Sequence, residues 1–263
     1  MSTEWLKSLV PAPARSALKR LLGIPQTIDP DWQILASIGP VNRPHVVFDA
    51  GAFKGYFSHC WRKWCPQAEV HAFEPSAEAC DLLRQKFANK PFFHLNQAGL
   101  GETEGQMEYH VASEARSCNS FLPPNEKTLD EMQYRVGAVT TRTVPVTTLD
   151  AYCRQAKIAG IYLIKIDVQG FELNVLKGGA QVALPLTDYI LVESAIRPLY
   201  VGAPRFSDVF EYLTAHGFHL IGLRTYHRGN LTLMETDLLF RRDALMPPVD
   251  PNLKVDKISV STT

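Results

Sequence analysis

The stretch IYLIKIDVQG, residues 161–170, constrains the fold of this chain more than any other. It is rich in isoleucine and nearly continuous in apolar character, without the alternation of a half-exposed strand. A strand of this kind is buried on both faces, which places it inside a parallel sheet covered by helices. The neighbouring sequence keeps the same rhythm. HVVFDAG reads as a strand and GYFSHCWRKWC as a helix, with Tyr56, Phe57, Trp61 and Trp64 expected on its packed face. AEVHAFEP is a second strand, followed by the amphipathic AEACDLLRQKFAN with Ser76 or Pro75 near its start. KPFFHLNQAG is a third strand. FELNVLKGGAQVAL is the helix after IYLIKIDVQG, closed by Gly178 and Gly179, and DYILVES is the next strand. Strands and helices in alternation predict an α/β fold built on a mostly parallel sheet.

The C-terminal part breaks the rhythm. After the helical FSDVFEYLTAHG come FHLIGLR and TDLLFRR, joined by a Gly-Asn segment with no helix between them. That predicts an antiparallel hairpin at the sheet edge. A seven-stranded, mostly parallel Rossmann-like sheet ending in one reversed hairpin is the arrangement of the class I methyltransferases. An insertion lies between the third and fourth core strands. It holds two extra strands, QMEYHVA and TRTVPVTTL, and a polar loop, with no crossover helix before LDAYCRQA. The expected division is a helical capping segment over 1–40, the main domain over 41–246 and a loose tail over 247–263.

Charge narrows the function. Among 263 residues, 27 lysines and arginines balance 27 aspartates and glutamates, so the basic excess of a nucleic-acid binder is missing. No apolar run is long enough to span a bilayer. The N-terminal stretch is a poor signal peptide, because its basic residues follow its apolar ones; Arg15, Lys19 and Arg20 fit one face of a packed capping helix. Five cysteines with no zinc-ligand spacing read as reduced thiols, and the expected location is cytoplasmic. The eight histidines offer no pair on one helix face.

The loop DAGAFKG after the first strand is where a ligand should sit. It is neither the G-x-G-x-x-G of a dinucleotide site nor a P-loop, since Gly51 and Gly55 are four apart and no G-K-[ST] follows. Asp49, inside the strand end, would repel a phosphate and can bind an ammonium or orient the loop. Glu74 ends the second strand, where a carboxylate can accept both hydroxyls of a ribose. Each acid alone also fits an ordinary strand-end carboxylate. Together with the glycines they point to a nucleoside that is positively charged and carries no phosphate, a description met by S-adenosyl-L-methionine.

These residues carry a resemblance. VVFDAGAFKGYFS, VHAFEPSAEACDLLRQKF, LNQAGLGETEG, TLDAYC and above all YLIKIDVQGFELNVLKGG with YILVES resemble the FkbM family of S-adenosylmethionine-dependent methyltransferases, from about Val46 to Glu193. The resemblance implies O-methylation of a sugar or a secondary metabolite. It implies a cofactor loop of Asp49, Gly51, Ala52, Phe53 and Gly55, a ribose ligand in Glu74, and an adenine-side segment of Asn96, Gln97 and Ala98. It places Ser117, Asn119 and Ser120 in a serine-rich loop near the acceptor, and Lys165, Asp167 and Glu172 in the K-I-D-x-x-G-x-E pattern. Three departures stand out: Phe53 where the family commonly has asparagine, Gln169 where it commonly has glutamate, and Cys118 between the serines.

A hydroxyl acceptor must lose its proton, so a base beside it would help. Asp167, at the carboxyl end of the fourth core strand, is the first candidate for the base or for orienting the acceptor, and it also borders the cofactor. Lys165 and Glu193 are the other catalytic candidates, and Gln169 belongs with the acceptor residues. Each also has a structural reading, as an ion-pair partner or strand-end group. Asp167, Glu172 and Glu193 could hold a hard cation, but their spacing does not demand one, and no metal is expected. Tyr134 and Tyr200 are conjectured to line an acceptor pocket. A nicotinamide-dependent oxidoreductase and a non-catalytic cofactor-binding module are the alternative functions; self-association is left open, and the expected partner is a small-molecule or glycan acceptor.

Overall fold

The computed structural model describes residues 30–114, 116–131, 135–228 and 232–245. The basic N-terminal stretch, Tyr134, the Gly-Asn turn and the tail after 245 lie outside the described residues. Ten strands are present among the described residues: β1 (His45–Ala50), β2 (Ala68–Phe73), β3 (Phe93–Asn96), β4 (Gly99–Leu100), β5 (Gly105–Ala112), β6 (Val139–Thr147), β7 (Ile161–Ile166), β8 (Thr187–Ala195), β9 (Phe218–Arg228) and β10 (Thr232–Arg242). The helices are α1 (Tyr56–Trp64), α2 (Ala77–Lys86), α3 (Glu126–Glu131), α4 (Leu149–Ala156), α5 (Glu172–Lys177) and α6 (Phe206–Ala215), with a 3-10 segment at Pro30–Ile38.

The large sheet runs β3-β2-β1-β7-β8-β10-β9. Every pairing is parallel except those of β10 with β8 and β9. This is the seven-stranded class I methyltransferase order. The hairpin is longer than the apolar runs of its sequence suggest, because β9 and β10 go on pairing with each other out to Arg228 and Thr232, beyond most of the pairing with β8. Strand order reverses between β1 and β7, so the loops after these two strands diverge and leave a crevice at their carboxyl ends.

Period-2 side-chain direction sorts the sheet into two cores. Phe48, Ile164, Ile166, Val192 and Phe240 face one way, toward α4, α5 and α6. Val47, Leu163, Leu191 and Leu239 face the other way, toward Trp61, Trp64 and Leu35 of the 3-10 segment. All six residues of β7 are buried, including Lys165. Ser76 and Thr148 start α2 and α4 by accepting from the backbone N–H groups of Ala79 and Ala151. The insertion forms a small second sheet, β4-β6-β5, whose core of Tyr109, Phe121, Val144 and Val146 packs on Phe171. The small sheet thereby walls one side of the crevice.

Candidate active site

The crevice is a cavity of about 280 Å³ at the carboxyl ends of β1, β2 and β7. Its floor is the glycine loop. Gly51, Phe53 and Gly55 all have positive φ, at 74°, 45° and 68°. At Gly51 the reason is space as well as φ: a Cβ there would lie 1.9 Å from the carbonyl oxygen of Asp167. A Cβ at Gly55 would strike Leu83 and Phe87 of the α2 region, so this glycine serves helix packing and does not line the cavity. Ala52 is likewise buried against Ala72 and Leu83. Phe53, in the asparagine position, does line the cavity, and its N–H donates to Glu74 Oε2 at 2.8 Å. Asparagine tolerates the left-handed region and phenylalanine does not, so Phe53 carries local strain of about 1 kcal/mol.

Glu74 faces the same cavity. Its second oxygen accepts from Ser76 N–H at 2.9 Å. Burial pushes its pKa up to about 7, against the opposing pull of the Ser76 and Phe53 N–H groups. Each oxygen keeps a lone pair for a hydroxyl on the ligand side. Asn96, Gln97 and Ala98 do not form the cavity wall. Asn96 turns its amide to Ala72 O and Tyr152 OH, and Gln97 accepts from Arg84 on the outside. The chain reaches the cavity one step later, at Gly99 and Leu100.

Of the three catalytic candidates, only Asp167 lines this cavity. Lys165 lies beneath the loop. Its Nζ donates to Gly51 O at 2.9 Å and sits 3.3 Å from Asp49 Oδ1 and 3.5 Å from Asp167 Oδ2. Burial alone would lower the Lys165 pKa, but the carboxylates of Asp167 and Asp49 outweigh it and hold the ammonium charged. Asp49 is fully buried, accepts from Ser58 Oγ at 2.6 Å, and does not line the cavity. Glu193 is reached through Gln169, whose Nε2 donates to Asp167 Oδ1 at 2.8 Å and Glu193 Oε2 at 2.9 Å. Burial, reinforced by Asp167 and Glu235, raises the Glu193 pKa well above its ordinary value, and Glu193 does not line the cavity. Gln169 itself sits at φ 58°, with its Oε1 accepting from Tyr200 OH at 3.0 Å. Tyr200 therefore braces Gln169 from behind the wall. Glu172 accepts from Val168 and Gly170 N–H and closes the turn into α5.

Ser117, Cys118 and Asn119 line the cavity, whereas Ser120 does not: its hydroxyl donates to Gln169 O and accepts from Leu122 N–H. Phe121, at the end of the serine-rich segment, also lines the cavity, as do Leu199, Met234 and Glu235, which carry no motif of their own in the sequence. Met234 and Glu235 arrive because the sheet inserts β10 beside β8. Among the described residues, the charged side chains lining the cavity are Glu74, Asp167 and Glu235, with no lysine or arginine. A cavity with that charge suits a cationic nucleoside with a diol better than a pyrophosphate.

Comparison with known proteins agrees with this chemistry. The model of the FkbM methyltransferase domain matches residues 49–220. The 2-O-methyltransferase NoeI of Sinorhizobium fredii is 27% identical over 206 residues, which cover 76% of this chain and 80% of that protein. Methyltransferase sdnD of Sordaria araneosa is 31% identical over 186 residues, covering 60% and 70%. Among solved structures, magnesium protoporphyrin IX methyltransferase from Synechocystis PCC 6803 superposes with a TM-score of 0.45 at 12% identity, over 92% of this chain and 86% of that one. At that score the strand order, and not the superposition, is what defines the fold. No helix among the described residues is long and apolar enough to cross a membrane.

Proposed function

The chain belongs to the FkbM family of methyltransferases, and from that premise we propose that it methylates a hydroxyl group of a sugar, a glycan or a small natural product, with S-adenosyl-L-methionine as methyl donor. The observation that carries the reading is the cavity's charge among the described residues: three acids, no cationic side chain, and one of the acids, Glu74, held by two backbone N–H groups at the cavity wall. When bound, the cofactor supplies an electrophilic methyl group on a positively charged sulfur. Glu74 would hold the ribose hydroxyls, and the Gly51–Phe53 turn would carry the part of the ligand nearest β7.

Asp167 is the base we assign to the acceptor hydroxyl. It lines the cavity with 35% of its side chain exposed, and Lys165 and Gln169 hold one oxygen each, which fixes the carboxylate plane. Holding the acceptor oxygen in line with the methyl–sulfur bond that breaks supplies much of the rate of a displacement at carbon, and the base takes the proton that the hydroxyl loses. Ser117, Asn119 and Gln169 supply polar groups suited to further hydroxyls of the acceptor. The name of the Sinorhizobium relative, a 2-O-methyltransferase, supports an oxygen acceptor. A nicotinamide dinucleotide is disfavoured, because among the described residues its pyrophosphate would meet three acids and no cationic side chain.

A thermal melt with S-adenosylhomocysteine, S-adenosylmethionine or NAD tests the reading. A ligand at about a hundred times its Kd stabilises by roughly 2.7 kcal/mol, a rise of several degrees for a chain of this length. The adenosyl ligands are expected to shift the midpoint and NAD is not. Asp167→Asn is expected to keep the shift with S-adenosylhomocysteine and to lose methyl transfer. A response to NAD alone would overturn the cofactor assignment, and near-wild-type turnover in Asp167→Asn would remove Asp167 as the base. Wild-type cofactor binding without transfer to any polyol would favour the non-catalytic module.

A further inference from the structure

Away from the cavity, on the edge of the large sheet, three ligand-type side chains from two strands converge. His71 of β2 and His94 of β3 are register partners in a parallel pair, and Glu69 lies two residues before His71 on the same face. Glu69 Oε1 is 2.9 Å from His94 Nε2 and 3.5 Å from His71 Nε2. The three ligand atoms lie within 4.8 Å of one another. Tetrahedral coordination by nitrogen and oxygen at about 2.0–2.1 Å sets ligand atoms about 3.4 Å apart, close to the two distances from Glu69.

The second observation is His71 itself. It is only 4% exposed, and its Nε2 is buried without a hydrogen-bond partner, aimed at Glu69 and His94. A buried polar atom left unpaired costs on the order of 1–3 kcal/mol and calls for an explanation. Its other nitrogen, Nδ1, is 2.7 Å from Tyr152 OH, which in turn takes Asn96 Nδ2 at 3.3 Å. This is how metal-ligating histidines are held: one nitrogen fixed by an outer partner, the other presented. Glu69 and His94 are half-exposed, which leaves an entry path and an open position for water.

We propose that Glu69, His71 and His94 form a binding site for a divalent transition-metal ion of the zinc type, separate from the methyltransferase cavity. The rings of His71 and His94 are stacked, 4.6 Å between centroids and 19° between planes. Ligation therefore requires the exposed His94 ring to tilt while Tyr152 holds His71. The ion would clasp the edge strand β3 to β2. It would also couple through Tyr152 to Phe73, which packs on that ring at 4.8 Å and lines the cavity.

The test uses the full chain, stripped with chelator and titrated with Zn²⁺ or Co²⁺ alone. Calorimetry and the visible spectrum of Co²⁺ report stoichiometry and ligand type, and a thermal melt reports stabilisation. One ion per chain, bound with nitrogen and oxygen ligands, is expected. His94→Ala and Glu69→Gln, both at half-exposed positions, are expected to weaken binding by tenfold or more and to abolish the rise in midpoint. His219→Ala, at the remote pair of His219 with Asp243, and Cys118→Ala should leave binding unchanged. Absence of binding to the wild-type chain, or binding that survives His94→Ala unaltered, would overturn the proposal.

Discussion

Two buried glutamates show how much a single hydrogen-bond acceptor decides. Burial pushes both Glu74 and Glu172 up to about 7. Glu172 accepts the Val168 and Gly170 N–H groups on one oxygen, Oε1, so a glutamine can keep these two bonds while it removes a buried charge. Glu74 accepts one N–H on each oxygen, so in a glutamine one N–H would face an amide NH₂. Glu172→Gln is therefore expected to leave stability unchanged or raised at neutral pH. Its effect has a sign that follows from linkage: a carboxyl raised from 4.5 to about 7 holds its proton in the folded chain, so the wild type loses stability relative to the variant as pH rises from 4.5 to 7. The full swing is up to about 3 kcal/mol, at roughly 1.4 kcal/mol per pKa unit. Glu74→Gln is expected to cost about 1–3 kcal/mol and to weaken S-adenosylhomocysteine binding by tenfold or more. Urea melts at pH 5 and pH 8, with calorimetry for the ligand, separate the two.

At the scale of the element, the decisive contact is between two strand ends. The β1 loop and the end of β7 touch at Gly51 and Asp167, and Lys165 ties them from below. Gly51→Ala would impose the left-handed penalty of about 1–2 kcal/mol and force the two loops apart. Gly202 also has positive φ, at 80°, but a Cβ there meets nothing within 4 Å. Gly202→Ala should cost the backbone term alone and keep cofactor binding, whereas Gly51→Ala should lose binding along with a larger drop in thermal midpoint. Equal losses in the two variants would mean that the close approach to β7 is not what the glycine protects.

For the whole molecule, the question is how the small sheet stays on the large one. Phe121 sits at that junction: its ring is 5.1 Å from those of Tyr109 and Phe171, and a Cβ at Gly99 would lie 2.2 Å from it. Large-to-small changes at buried aromatics cost about 3–5 kcal/mol. Phe121→Ala is expected to loosen the small sheet first, seen as faster amide exchange over β5 and β6 while β7 stays protected, together with weaker S-adenosylhomocysteine binding. Uniform loss of protection across both sheets would show instead that the two melt as one unit.

Much of this protein was determined by local pattern. The doubly buried β7, the strand–helix rhythm, the closing hairpin, the two extra strands of the insertion and the D-x-G-x-x-x-G loop all follow from periodicity, glycine chemistry and apolar runs, which are properties of neighbouring residues. The carboxylates of Glu74 and Asp167 belong to this legible set, because strand ends place them whatever the packing. Tertiary structure alone decided the rest. That Lys165 and Asp49 pair beneath the loop, that Asn96 turns to Tyr152 and leaves the wall to Gly99 and Leu100, and that Met234 and Glu235 reach the cavity all depend on strand order and register. The same holds for His71 and His94, distant in sequence and adjacent only because β2 pairs with β3. Side-chain direction along a strand has a period that sequence reveals; which strand lies alongside is set by burial of the whole sheet, and that is a property of no single segment.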